Sequence, residues 1–175
     1  MMKRAACTVA LTFWVGVAQA GPTDTPLPTF ADGKAALLVY IAPGVIKNNN
    51  LETVVVCTNT DTVARNIGVE VFDETGALRN AVAAGVGAFL DVGPGQTVTV
   101  ATAGTAVLHE DQTLALNLAG NGVNILRNGS GRVVGTSKNL ACSALVVDKL
   151  HTIQDPAISS QPPPPFATLP LSKVP

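Results

Sequence analysis

From residue 35 to residue 148 the chain alternates short apolar runs with polar or glycine-rich punctuation, and no stretch sustains a 3.6-residue period. Val, Ile, Thr and Ala dominate the runs, which is the composition of half-buried strands. Ala36 to Ala42 (ALLVYIA) is predicted as the first strand, closed by a tight turn at Pro43-Gly44. After a polar loop at Lys47 to Asn50 comes Thr53 to Thr58 (TVVVCT), where Val55 and Cys57 share one face and Val54 and Val56 the other. Next, Ile67, Val69 and Val71 alternate with Gly68, Glu70 and Phe72. That alternation predicts a half-buried strand with Glu70 turned to solvent, ended by Asp73-Glu74-Thr75-Gly76.

Ala77 to Gly87 is alanine-rich and reads as a weak strand or a short helix. Ala88 to Val92 resumes the β texture, Gly93-Pro94-Gly95 turns the chain, and Gln96 to Ala101 gives the cleanest alternation, with Val98 and Val100 inward. The two are predicted to form a hairpin. Thr105 to His109 and Thr113 to Leu118 follow as strands, and Gly120 to Gly131 as a loop. Arg132 to Thr136 and Ala141 to Val147 then close the domain as a hairpin around Ser137 to Asn139. About eight short strands, with turn signals roughly every ten residues, predict an all-β fold: an antiparallel β-sandwich of immunoglobulin-like or fibronectin-like arrangement, with a barrel as the alternative.

The two ends differ from this texture. Residues 1–20 carry Lys3 and Arg4, an apolar run from Ala5 to Val17 and the small-residue triplet Ala18-Gln19-Ala20. They read as a secretory signal peptide cut between Ala20 and Gly21. No second hydrophobic segment of spanning length follows, so no integral membrane segment is expected after cleavage, and the chain is expected to be secreted or periplasmic. Residues 21–33 hold Pro22, Pro26 and Pro28 and read as an extended leader; residues 34–150 form the sandwich domain. Residues 151–175 contain seven of the 12 prolines, including Pro162 to Pro165, and read as a disordered or polyproline II spacer. Docking through Phe166, Leu169, Leu171 and Val174 is the alternative.

Removing the signal changes the chemistry available. The exported chain keeps 9 basic residues against 12 acidic ones, and the cations are scattered, without the basic stripe that nucleic-acid binding requires. Cys7, Trp14 and both methionines leave with residues 1–20, so only Cys57 and Cys142 remain. In an oxidising compartment such a pair predicts a disulfide, with two unconnected buried thiols as the alternative. An early and a late strand joined in this way resemble the layout of the immunoglobulin bridge, without its tryptophan. Copper sites of the sandwich type lack their ligands.

Other constellations are weaker. His109-Glu110-Asp111 is a candidate metal cluster only if the chain turns there, and a solvated turn is the simpler reading. His151 stands at the start of the tail. Gly129-Ser130-Gly131 lacks the context of a nucleophile elbow, and Asp73, Glu74, Asp91, Glu110 and Asp111 form no calcium loop motif. We assign no catalytic, cofactor or metal residue and expect no enzymatic activity.

The order Cys57-Thr58-Asn59, Val69-Glu70-Val71-Phe72-Asp73 with Gly76, Gly93-Pro94-Gly95, Arg132-Val133-Val134-Gly135-Thr136-Ser137, Leu140-Ala141-Cys142-Ser143-Ala144 and Val146-Val147-Asp148 resembles uncharacterised exported bacterial β-sandwich proteins. The resemblance covers roughly residues 37–148. It implies the fold and the pairing of the two cysteines, and no activity. The functional expectation is a structural or protein-binding module of the envelope or exterior, with an unknown envelope or surface protein as partner. The alternatives are a subunit of a surface fibre or adhesin, and a carbohydrate-binding or hydrolytic domain. Against strand donation from the N-terminus stand the three leader prolines.

Overall fold

The structure, a computed structural model, describes residues 21–106, 108–117, 125–150 and 166–175. The predicted signal peptide lies outside them. Among the described residues ten strands form: β1 Leu37–Asn48, β2 Leu51–Asn59, β3 Arg65–Phe72, β4 Ala88–Val92, β5 Thr97–Ala101, β6 Gln112–Thr113, β7 Leu126–Gly135, β8 Leu140–Asp148, β9 Phe166–Leu169 and β10 Ser172–Lys173. All pair antiparallel except β5 with β6. The fold is therefore all-β, and the path of strands is open at β4 and at β6, which corrects the barrel alternative.

Two hydrogen-bonded groups can be traced along that path. One runs β4-β3-β7-β1 with β10 on the far edge of β1; the other runs β9-β8-β2-β5-β6. They meet in the β1–β2 hairpin, where Lys47 pairs with Glu52 and Asn48 with Leu51 across Asn49 and Asn50. Asn49 takes the left-handed conformation that a two-residue turn of this kind requires (φ 54). Alternate residues of both groups share one apolar cluster, among them Val39 and Val45 from β1, Val55 and Cys57 from β2, Val69 and Val71 from β3, and Val133 from β7. Tyr40 ties the groups a second time, its hydroxyl donating to the Leu140 carbonyl at 2.7 Å.

Several sequence expectations change here. Neither predicted hairpin forms, although β4, β5, β7 and β8 are strands. β4 pairs with β3 and β5 with β2, so Gly93-Pro94-Gly95 carries the chain from one group to the other. In the same way β7 lies between β3 and β1 while β8 pairs with β2. Alternation fixes which face a strand buries, but it does not name its neighbour. Pro43-Gly44 is not a turn: β1 runs through it with irregular register, Gly44 adopting φ 84. β7 begins at Leu126, so Gly129-Ser130-Gly131 lies in a strand and not a loop. The predicted strand Thr105–His109 does not form, Thr113–Leu118 contributes only the end of β6, and Ala77–Gly87 holds a single 3-10 turn at Val82–Ala84. Residues 107 and 118 lie outside the described ones.

The largest correction concerns Glu70. It is buried, as is every residue of β3 from Asn66 to Phe72, because the outward face of β3 is covered. Phe30 from the leader and Val82 pack there against Val134 and leave no room for a side chain at Gly68, where an added Cβ would come within 2.9 Å of Val82 and of Val134. Register places Glu70 opposite Arg132 of β7. Arg132 donates from Nε to the Glu70 carboxylate at 2.7 Å, from Nη1 to the Pro22 and Thr25 carbonyls, and from Nη2 to the Pro26 carbonyl. Its guanidinium also lies 5.2 Å from the centre of the Phe72 ring. The leader is thus a folded cap that supplies carbonyls to a buried cation, and not merely an extended lead-in.

Removing one member of a buried pair costs about 3 to 5 kcal/mol, whereas replacing both with apolar groups is often neutral. Arg132→Met is expected to lower the urea unfolding free energy by about that amount, and adding Glu70→Leu to restore most of it. Equal loss in the single and double variants would show that the pair is not coupled.

Candidate functional site

The two sequence-assigned cysteines meet. Cys57 and Cys142 are register partners on β2 and β8 and form a disulfide, with Cα atoms 4.2 Å apart. The bridge joins neighbouring strands of one group, whereas the immunoglobulin bridge joins the two sheets. The layout analogy fails on that point. Of the signal-cleavage pair, Ala20 lies outside the described residues; Gly21 begins the leader turn, its carbonyl accepting the Asp24 and Thr25 amides.

The polar clusters near turns resolve into structural contacts. His109 is 91% exposed, with Nδ1 3.9 Å from Asp111. Glu110 instead accepts from Thr105, and Asp111 accepts the Thr99 amide at 2.7 Å. Glu110 and Asp111 therefore serve separate backbone partners, and His109 stays in solvent. Asp73 folds its own turn, accepting from the Thr75 and Ala77 amides and from Arg79. Burial works against its ionisation, but the Thr75 hydroxyl, the Arg79 guanidinium and the two amides outweigh that and bring the carboxyl down to about 2.

Asp61 joins two connections. It accepts from Ser137 Oγ at 2.8 Å and from Arg65 Nε at 2.9 Å, and so ties the turn after β2 to the turn before β8. The Ser137 hydroxyl, the Thr62 amide and the Arg65 guanidinium hold its carboxyl at about 2. At the opposite corner the buried Glu52 carboxylate accepts from Thr102 at 2.7 Å and from Lys149 at 3.2 Å, while Lys47 donates to the Thr102 carbonyl. Burial moves the Glu70 carboxyl above its ordinary range, against the pull of Arg132. Among the described residues no buried side-chain nitrogen or oxygen lacks a partner. A void of about 10 Å³ lies beside Thr53, Thr102 and Leu171, about enough for one water.

What remains is a seam between the two groups, and the C-terminal segment occupies it. β9 pairs with β8 through Leu169↔Ala144, Thr168↔Leu145, Ala167↔Val146 and Phe166↔Val147. The chain then crosses at Pro170 and Leu171 to β10, which pairs with β1 through Ser172↔Ile41 and Lys173↔Tyr40. Leu169 and Leu171 pack against the shared core, and the Val174 amide donates to the Val39 carbonyl. Lys173 lies 5.8 Å from the centre of the Tyr40 ring, and Lys138 Nζ donates to the Pro175 carbonyl. Residues 166–175 are therefore docked, which corrects the expectation of a free tail for this part; residues 151–165 lie outside the described ones. The apolar spacing Leu169, Leu171, Val174 was the available signal. Proline content outweighed it because proline bars central strands, yet Pro170 falls between β9 and β10, where the missing N–H costs nothing.

Across from this seam, β4 and β5 border an open groove of roughly 570 Å³ lined by Phe89, Leu90, Asp91, Gln96, Thr97 and Asp111. An irregularity opposite Arg65 and Ile67, with Asp91 at φ 52, interrupts the β4 edge there. Such a bulge discourages further strand pairing. Among the described residues no helix is long and apolar enough to cross a membrane. Comparison with protein-family models, with curated proteins and with solved structures finds no match to the chain.

A carboxyl depressed in the folded state stabilises above its ordinary value, and that contribution disappears as pH falls through the depressed one. Asp61 should therefore contribute fully above ~pH 4 and progressively less toward ~pH 2. Asp61→Asn is expected to lower the Tm near neutrality and to flatten the fall in Tm over that acid window. A Tm profile parallel to the parent's would contradict the assignment.

Proposed function

We propose that the protein is a non-enzymatic, exported β-sandwich of immunoglobulin-like or fibronectin-like layout, acting in the envelope or outside the cell as a structural or protein-binding module. The observation that carries this reading is the seam. The edges of β8 and β1 take up an extended peptide by main-chain pairing, while Leu169 and Leu171 seat on the core. This is recognition by strand addition, in which backbone hydrogen bonds give affinity and alternate side chains give selectivity. The Cys57–Cys142 bond is compatible with export. The charged side chains that reach the interior hold the leader, the hairpin corner and the turns, which fits a scaffold better than a reaction centre.

The test is in-cell photocrosslinking from β8. With a photoreactive residue in place of Val146 in the tagged full chain, adducts are expected both to the chain's own 166–169 segment and to one defined protein partner. Internal adducts alone at native expression would contradict the reading.

A further inference from the structure

Register puts Phe166 opposite Val147, so the chain returns after β8 to almost the place it left. A hairpin makes such a return with two to five residues. Here the connection uses residues 148–165, eighteen in all, five of them proline. Residues 151–165 alone, if fully extended, reach roughly 50 Å, more than the roughly 30 to 40 Å across a domain of this size. Seating the C-terminal segment, residues 166–174 (the clasp), on its own body needs none of that reach. Reaching the same seam on a neighbouring molecule does.

The clasp is also lightly held. Six register pairs attach it to β8 and β1, Phe166, Ala167 and Thr168 are exposed, and Leu169, Leu171 and Val174 are only half-buried. A segment with few buried apolar contacts opens at a cost well below that of global unfolding. The body keeps its own cluster, its disulfide and the Arg132 cap when the clasp leaves, because none of these includes residues 166–175 except Leu169 and Leu171 at the cluster's margin.

We propose that residues 166–174 form an exchangeable strand, and that the seam between β8 and β1 accepts this segment from a second copy of the chain. The proposal rests on the strand-addition reading above and names the partner. Identical contacts form within one molecule or between two, so concentration sets the balance. A tether of this length gives an effective concentration of at most about millimolar. The closed monomer prevails when dilute, and exchanged copies accumulate as the local concentration nears that value, as on a crowded surface.

The test uses two full-length single variants, Val146→Cys and Ala167→Cys, which occupy paired positions on β8 and β9. They are mixed at ~1 µM and at ~1 mM, oxidised, and mapped by peptide mass. The expected result is an intermolecular 146–167 bond that is scarce at the lower concentration and rises at least tenfold at the higher. The double variant in one chain should close internally at both. A double variant that closes while the mixed singles give no 146–167 bond at ~1 mM would overturn the exchange. If the in-cell adduct from position 146 to a different protein persisted in that case, the protein-binding reading would stand and only the second copy would be excluded.

Discussion

The structure depends on how one buried guanidinium is satisfied. Arg132 sits in the middle of β7, between β3 and β1, where its own strands can offer it only Glu70 and the Phe72 face. A cation removed from water at that depth needs more acceptors than one carboxylate. The leader supplies them from Pro22, Thr25 and Pro26. Once the leader is drawn in, Phe30 follows it onto Val134 and Val82. Asp32 then reaches Asn66 of β3, whose own side-chain oxygen accepts the Asp91 amide and steadies the β4 bulge. One charge therefore organises a face that, among the described residues, no strand covers.

The second seam is organised differently. The edges of β8 and β1 carry no buried charge, and they are closed by main-chain pairing with the C-terminal segment of the same chain. The N-terminal cover is fixed by charge-assisted hydrogen bonds, which are directional and costly to break. The C-terminal cover is held by short pairing and partial burial. This asymmetry is what distinguishes the N-terminal cap from the C-terminal cover, and it is the physical basis for the proposal that binding occurs at the C-terminal seam. The disulfide reinforces the same division. By tying β2 to β8 across 85 positions of sequence it holds the acceptor edge in place whether or not the clasp is seated.

Much of this was legible in the residues and some was not. Short apolar runs located β2 and β8, and period-two alternation located β3 and β5, where a one-residue slip would turn Val69 and Val71 or Val98 and Val100 outward. Partner choice was hidden, because Gly93-Pro94-Gly95 and Ser137 to Asn139 look the same in sequence whether the chain pairs back or crosses to the other group. Glu70 was misread for a related reason. Its place in the alternation gave its face correctly, but what covers that face comes from the distant leader and from Val82 beyond the next turn, and only the match of Glu70 to Arg132 across β3 and β7 reveals it. Of the candidate site, the cysteine pair was readable from the even count left once an exported chain is expected. The seam was readable only as apolar spacing within a proline-rich tail, a signal too weak to outweigh composition.

The central claim is that the leader carbonyls are part of the fold. Urea unfolding of the chain beginning at Gly21, compared with one beginning at Leu27, tests it most directly. The account predicts that losing residues 21–26, and with them three acceptors of the Arg132 guanidinium, lowers stability by at least about 2 kcal/mol. It further predicts that the loss is largely absent when both chains carry Arg132→Met with Glu70→Leu. Equal stability of the two starting chains with Arg132 in place would contradict it.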